Sequence, residues 1–219
     1  MCSLRCSGIV AALVWANLGG AFSYLPARHR LGLELRPGSA PGTDAKVSDW
    51  RPLVRDLVHR VDRDVAAVLA GIDPALLDVA VEPGTNTIGW LLWHLTRSQD
   101  RNVNELRGQT QVWLSQRWCA RFDRPADAGD TGYGHTLEDL SRFRSPRPET
   151  LLAYHRTVVA SVDAYLDTVA EDDLHRLSRS PTLGNTLIVQ QRLVGVLVEG
   201  LEHVGQAAIL RGILERRAS

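Results

Sequence analysis

Three side chains able to bind a metal ion sit inside otherwise apolar stretches of this sequence. His94 closes the run Ile88-Gly-Trp-Leu-Leu-Trp-His-Leu95, and Glu199 and His203 stand four residues apart in Val196-Leu-Val-Glu-Gly-Leu-Glu-His-Val204. On a helix, a spacing of four stacks two side chains on one face, with Cβ atoms about 5–6 Å apart. A carboxylate oxygen and an imidazole nitrogen so placed can converge on one divalent cation. His94, from a second helix, would complete a two-histidine, one-carboxylate set with positions left open for water or substrate. A charged glutamate on an apolar stripe is costly to bury, and a cation would relieve that cost. The plainer readings are a surface Glu–His ion pair and a hydrogen-bonded core histidine. At about 100° per residue, Glu199 and His203 share a stripe with Val189, Val196, Ala207, Leu210 and Leu214, which turns the pair inward.

The elements that must carry these residues read as helices. Ser48 or Asp49 can cap a helix to about Gly71, whose Leu53, Val54, Leu57, Val58, Val61, Val65, Val68 and Leu69 keep a period near 3.6. Asn86 or Thr87 caps a second, ended by Gly108. A short segment over 111–122 carries Trp113, Trp118 and Phe122, and a brief helix is expected over 137–142. Pro148 opens a third long helix to about Ala170, and Asn185 or Thr186 opens the last, to about Arg216. Strand signals are nearly absent. The expected fold is all-α: a four-helix bundle with short extra helices in the connections, in which a metal site is built from facing helices.

Composition narrows the function classes. Twenty-five basic and 25 acidic residues give a formal net charge of zero, and no Lys/Arg block supplies the electrostatic footprint of a nucleic-acid binder. Lys46 is the only lysine, a usage that reads as a high-GC coding bias. Cys2, Cys6 and Cys119 form neither a disulfide framework nor a zinc knuckle, so a reduced cytoplasmic protein is the simpler reading. Arg5 followed by the apolar run 8–22 is a weak signal-peptide pattern, too short and interrupted for a membrane span. The alternative is secretion, with residues 1–23 as the signal. Residues 1–45 are expected to be a dispensable extension and 46–217 the bundle domain, divided by the Pro/Gly-rich stretch 36–43.

Several segments together resemble the DinB-like superfamily of metal-binding bundles: Asn86-Thr-Ile-Gly-Trp-Leu-Leu-Trp-His-Leu95, Asp130-Thr-Gly-Tyr-Gly-His-Thr136, Leu151-Leu-Ala-Tyr-His155 and Glu199-Gly-Leu-Glu-His-Val-Gly-Gln-Ala-Ala-Ile-Leu-Arg211. The branch it looks closest to contains mycothiol-dependent maleylpyruvate isomerase and related proteins. That resemblance places the metal ligands on His94, Glu199 and His203. It implies a thiol S-transferase or related enzyme, with a divalent metal (Zn, Ni, Fe or Mn) as cofactor and mycothiol as the leading co-substrate. Its partners would be a small thiol and an electrophilic small molecule, with neither nucleic acid nor membrane. No evident thiol-cofactor motif stands out among the residues, and a dedicated second domain such as some isomerases carry after the bundle is not expected here.

His135, Arg211 and Trp90 are the further candidates for supporting the site or touching substrate. Asp100 and Glu202 are expected to support the site or lie on the surface, His155 to be packed or exposed, and His59 and His175 to be solvated. Two other classes of function compete: a non-catalytic metal- or ligand-binding stress-response bundle, and a structural protein whose Glu199–His203 pair is an ion pair. In the structural reading a homodimer forms through Trp113 and Trp118.

Overall fold

The computed structural model describes residues 49–218; the expected extension, with its signal-like run at 8–22, lies outside the described residues. Four long helices dominate: α1 (Arg51–Leu69), α2 (Ile88–Leu106), α6 (Pro148–Leu166) and α7 (Val189–Ala218). The connections hold the short helices α3 (Val112–Ser115), α4 (Trp118–Arg121) and α5 (Leu137–Arg142). Helix α2 packs against α6 and α7, and α1 closes the bundle against the same two helices. The described chain is therefore an all-α bundle with short helices in its connections.

Local chemistry sets most of the boundaries. The Thr87 side chain accepts from the Trp90 amide and starts α2. Gly108, at φ +65°, ends it in the left-handed region that favours glycine. Pro148 opens α6, where its missing N–H costs nothing. At α1 the N-cap is Trp50, while the Asp49 carboxylate accepts from the Arg51 amide at 3.1 Å. Val58, Val61, Val65, Val68 and Leu69 form the inward stripe of α1. Each such side chain contributes about 1.5–3 kcal/mol by leaving water.

Three expectations need correction. The last helix begins at Val189, later than Asn185 or Thr186, because Thr186–Ile188 pairs antiparallel with Leu177–Arg179 in a small hairpin. Thr186 and Ile188 are β-branched, and the pleated edge suits them better than a first helical turn. Trp113 and Trp118 are core residues, 0% and 4% exposed, packed on Tyr154, so they offer no aromatic surface for a dimer. Asp100 does not lie on the surface; it is fully buried and makes no direct contact with the metal-competent residues.

Asp100 organises the polar interior of α2. One oxygen accepts from the Val112 amide (2.9 Å) and Asn104 Nδ2 (2.7 Å), and the other from the Trp113 amide (2.9 Å), Tyr154 Oη (2.8 Å) and Arg97 Nη1 (3.2 Å). The carboxylate thus satisfies the first amides of α3 and pairs with an arginine that is itself fully buried. Removing its charge strands that guanidinium. Asp100→Asn is expected to lower unfolding stability by about 3–5 kcal/mol in urea titrations; a loss under about 1 kcal/mol would show that the pair does not hold this region together.

Candidate metal centre

His94 projects from α2, and Glu199 and His203 from α7, which packs along it. Their ligand atoms all lie within 4.8 Å of one another. His94 Nε2 stands 3.0 Å from Glu199 Oε1, His203 Nε2 stands 3.9 Å from the same oxygen, and the two imidazole centroids are 5.1 Å apart. His94 is buried, while Glu199 and His203 keep some access to solvent.

Neighbouring groups decide what these atoms can do. His94 Nδ1 lies at hydrogen-bond distance from the Thr131 carbonyl oxygen, which can only accept, so Nδ1 carries the hydrogen. His203 Nδ1 faces Gln206 Oε1 at 3.0 Å and is fixed in the same sense. Both Nε2 atoms are thereby turned toward Glu199, and in the neutral ring each carries its lone pair there. The Ser98 hydroxyl donates to Glu199 Oε2 and leaves Oε1 to face the imidazoles. A lone pair 3.0 Å from a carboxylate oxygen is repulsive unless a proton or a cation lies between them. The hydrogen bonds behind the three side chains have the pattern that orients metal-bound imidazoles and carboxylates.

Electrostatics point the same way. Burial works to raise the Glu199 carboxyl, but the adjoining His94 ring, the Ser98 hydroxyl and the nearby His203 outweigh it, so the group sits below its usual range. Burial pushes His203 below the ordinary histidine value. A lowered carboxylate stays charged at neutral pH, and a lowered histidine stays neutral with its lone pair free.

The loop over 128–132 is fastened so that it can serve His94. Arg97 Nε donates to the Asp130 carbonyl at 2.9 Å and its Nη2 to the Ala128 carbonyl at 3.1 Å, while Arg124 grips the Asp130 carboxylate through two bonds of 2.6 Å. Gly132, at φ +86°, follows Thr131, and a Cβ there would lie 2.7 Å from His94 Nδ1. Only glycine lets the loop come this close.

Of the further candidates, Trp90 lies against the site: its ring stacks on His94 with centroids 4.6 Å apart and planes inclined by 16°. His135 braces Trp90 from behind, accepting from its Nε1 at 3.1 Å and stacking on Trp93; burial, and then Arg124, lower its pKa. Arg211 is elsewhere. Its Nη1 donates to the carbonyls of Ala67, Val68 and Ala70, closing the C-terminal end of α1, and its Nε pairs with Glu215. His155 is packed and neutral, its pKa driven down to about 4 by burial. His59 pairs with Asp163 at 3.0 Å, and Glu202 and His175 are exposed. Ser98, Gln206 and Thr131 were not singled out by sequence. The first two carry a readable signal, one helical turn from His94 and His203; a backbone carbonyl from a distant loop carries none.

A helical bundle with two histidines and a glutamate converging from facing helices is the architecture of a metal-competent bundle protein. The sequence profile of the DinB superfamily matches residues 57–207, and the chain belongs to that superfamily. It is also similar to a solved structure described as a conserved protein of locus from Enterococcus faecalis, with 26% identity and a TM-score of 0.65 over 73% of this chain and 94% of that one. No functionally curated protein matches the sequence.

Ser98→Ala removes the donor that holds Glu199 and should weaken zinc affinity by roughly 10–100-fold in competition titrations, with helical content unchanged. Affinity should also fall as pH drops through the histidine range, because protons then compete for the two Nε2 atoms. Pure zinc binding that is indifferent to both changes would remove these atoms from the ligand set.

Proposed function

We propose that His94, Glu199 and His203 bind one divalent cation and that the protein is a metal-dependent transferase of a small thiol. The observation that carries this reading is the convergence of two imidazole lone pairs and a carboxylate oxygen with their hydrogen-bonding partners turned away. The residues fit such a group: three donors of nitrogen and oxygen type suit Zn, Ni, Fe or Mn, and a closed structural zinc site would use four protein ligands. When bound, the cation would favour thiolate over thiol at neutral pH, and thiolate is the nucleophile.

The chain's own residues supply the rest. Ser98 and Gln206 hold Glu199 and His203 in their binding orientation, and the Thr131 carbonyl does so for His94. Trp90 forms an apolar wall on one face of His94 and keeps water from that side of the imidazole. Cys119 is buried and is not among the ligands, so the attacking sulfur in this reading comes from a co-substrate. Mycothiol is the leading candidate, and the acceptor is an electrophilic small molecule. A cytoplasmic setting, where small thiols stay reduced, belongs to the same proposal.

The test compares metal-loaded protein, metal-free protein and the His203→Ala variant at pH 7 with mycothiol and a panel of alkylating and epoxide electrophiles. Thiol consumption above background should appear only with the metal-loaded wild type, and His203→Ala should lose stoichiometric metal while keeping its circular dichroism. Stoichiometric metal with background rates across the whole panel would instead favour a non-catalytic metal-binding bundle.

A further inference from the structure

One arginine beside the candidate centre departs from the way the other buried arginines of the α2–α7 interface are used. Arg97 and Arg192 are both buried, and both place their terminal guanidinium nitrogens on named partners, although Arg192 Nε, like that of Arg101, has none. Arg101 is only 8% exposed, yet its Nε is buried with no hydrogen-bond partner, and among the described residues its guanidinium makes no ion pair or hydrogen bond. Burial lowers its pKa, and the carboxylates of Glu105 and Glu199 counter this by charge alone. Neither carboxylate pairs with it: Glu105 Oε2 is taken by Arg192 at 3.2 Å while its Oε1 is buried with no partner, and Glu199 faces His94 and Ser98.

The position is set by helix geometry. His94, Ser98 and Arg101 follow one another at i, i+4 and i+7 on the face of α2 that meets α7, which carries Arg192, Glu199 and His203 along its own facing stripe. Arg101 therefore stands between the Glu105–Arg192 pair and the three metal-competent atoms, about 10 Å along the helix axis from His94 at about 1.5 Å per residue. A small organic molecule spans that distance.

Charge completes the case. A divalent cation with Glu199 leaves one net positive charge, the Glu105–Arg192 pair adds none, and Arg101 adds one more. A thiolate at the cation and one further anion at Arg101 bring this set of charges to neutrality. A planar, monovalent, bidentate acceptor suits one guanidinium fork, which is the description of a carboxylate. We propose that Arg101 is the seat for a carboxylate on the molecule that meets the metal. This rests on the metal-and-thiol reading above and adds a substrate class to it: a carboxylate-bearing small molecule.

The test uses full-length protein loaded with Co(II), whose thiolate charge-transfer absorption in the near ultraviolet reports sulfur binding at the ion. A series of ω-mercaptocarboxylates of two to six carbons is titrated against the matching mercaptoalcohols. At the best chain length the acid is expected to bind at least tenfold more tightly than the alcohol. Arg101→Gln should bring that ratio to near one while leaving the affinity for the alcohol and the cobalt stoichiometry unchanged, and Arg101→Lys should retain part of it. An arginine that merely supports the fold would change stability without moving the ratio. A wild-type ratio near one at every length, or a preference that survives in Arg101→Gln, overturns the proposal; the wild-type result decides even where a variant fails to fold. If cobalt binds stoichiometrically but no thiol gives a band, the thiol chemistry fails separately. The seat is then read from the visible cobalt bands, with short dicarboxylates expected to bind at least tenfold more tightly than monocarboxylates and Arg101→Gln to erase the difference; equal affinities would overturn it.

Discussion

Two imidazole lone pairs and a carboxylate oxygen cannot face one another in a protein interior without positive charge between them. That constraint explains why so much of this bundle is arranged around the meeting of α2 and α7. His94 Nε2 and Glu199 Oε1 stand 3.0 Å apart, and every group behind them fixes the lone pairs in that direction rather than relieving the conflict. A bundle that needed only a stable core would fill this position with aliphatic side chains, which pack without desolvating a charge. The arrangement is therefore costly to the fold unless a proton or a cation lies between the atoms.

The support for it reaches well beyond the three residues. Asp100 neutralises Arg97 deep in α2, and Arg97 in turn grips the carbonyls of Ala128 and Asp130. The loop so held presents the Thr131 carbonyl to His94, with Gly132 allowing the close approach. A buried ion pair thus sets the orientation of an imidazole whose other nitrogen faces Glu199. The coupling predicts that damage to the Asp100 network reaches the metal-competent atoms through the loop, without any direct contact between them.

Much of this was legible in the sequence, and the illegible parts have a common reason. The 3.6-residue period of α1, the Thr87 cap, Pro148 and Gly108 are local signals, and they located the long helices to within a few residues. The Glu199–His203 spacing and the apolar surroundings of His94 were readable for the same reason. The start of α7 was not, because Thr186–Ile188 is committed to a strand pairing with residues about ten positions earlier. Asp100 read as a residue that supports the site or lies on the surface; its partners beyond α2 are amides of α3 and a tyrosine on α6, which no spacing rule reaches. Arg211 carried a plausible substrate role until its partners proved to be the last carbonyls of α1. The unpartnered state of Arg101 was equally invisible, since it depends on where the other charges of the interface are already engaged.

X-ray absorption at the zinc edge of the loaded protein addresses the ligand set most directly. The expected result is a first shell of nitrogen and oxygen only, at about 2.0–2.2 Å, with the outer-shell scattering of two imidazoles. Addition of a small thiol should then bring in one sulfur at about 2.3 Å. A sulfur ligand present before any thiol is added, or the absence of imidazole scattering from stoichiometrically bound zinc, would contradict a centre built from His94, Glu199 and His203.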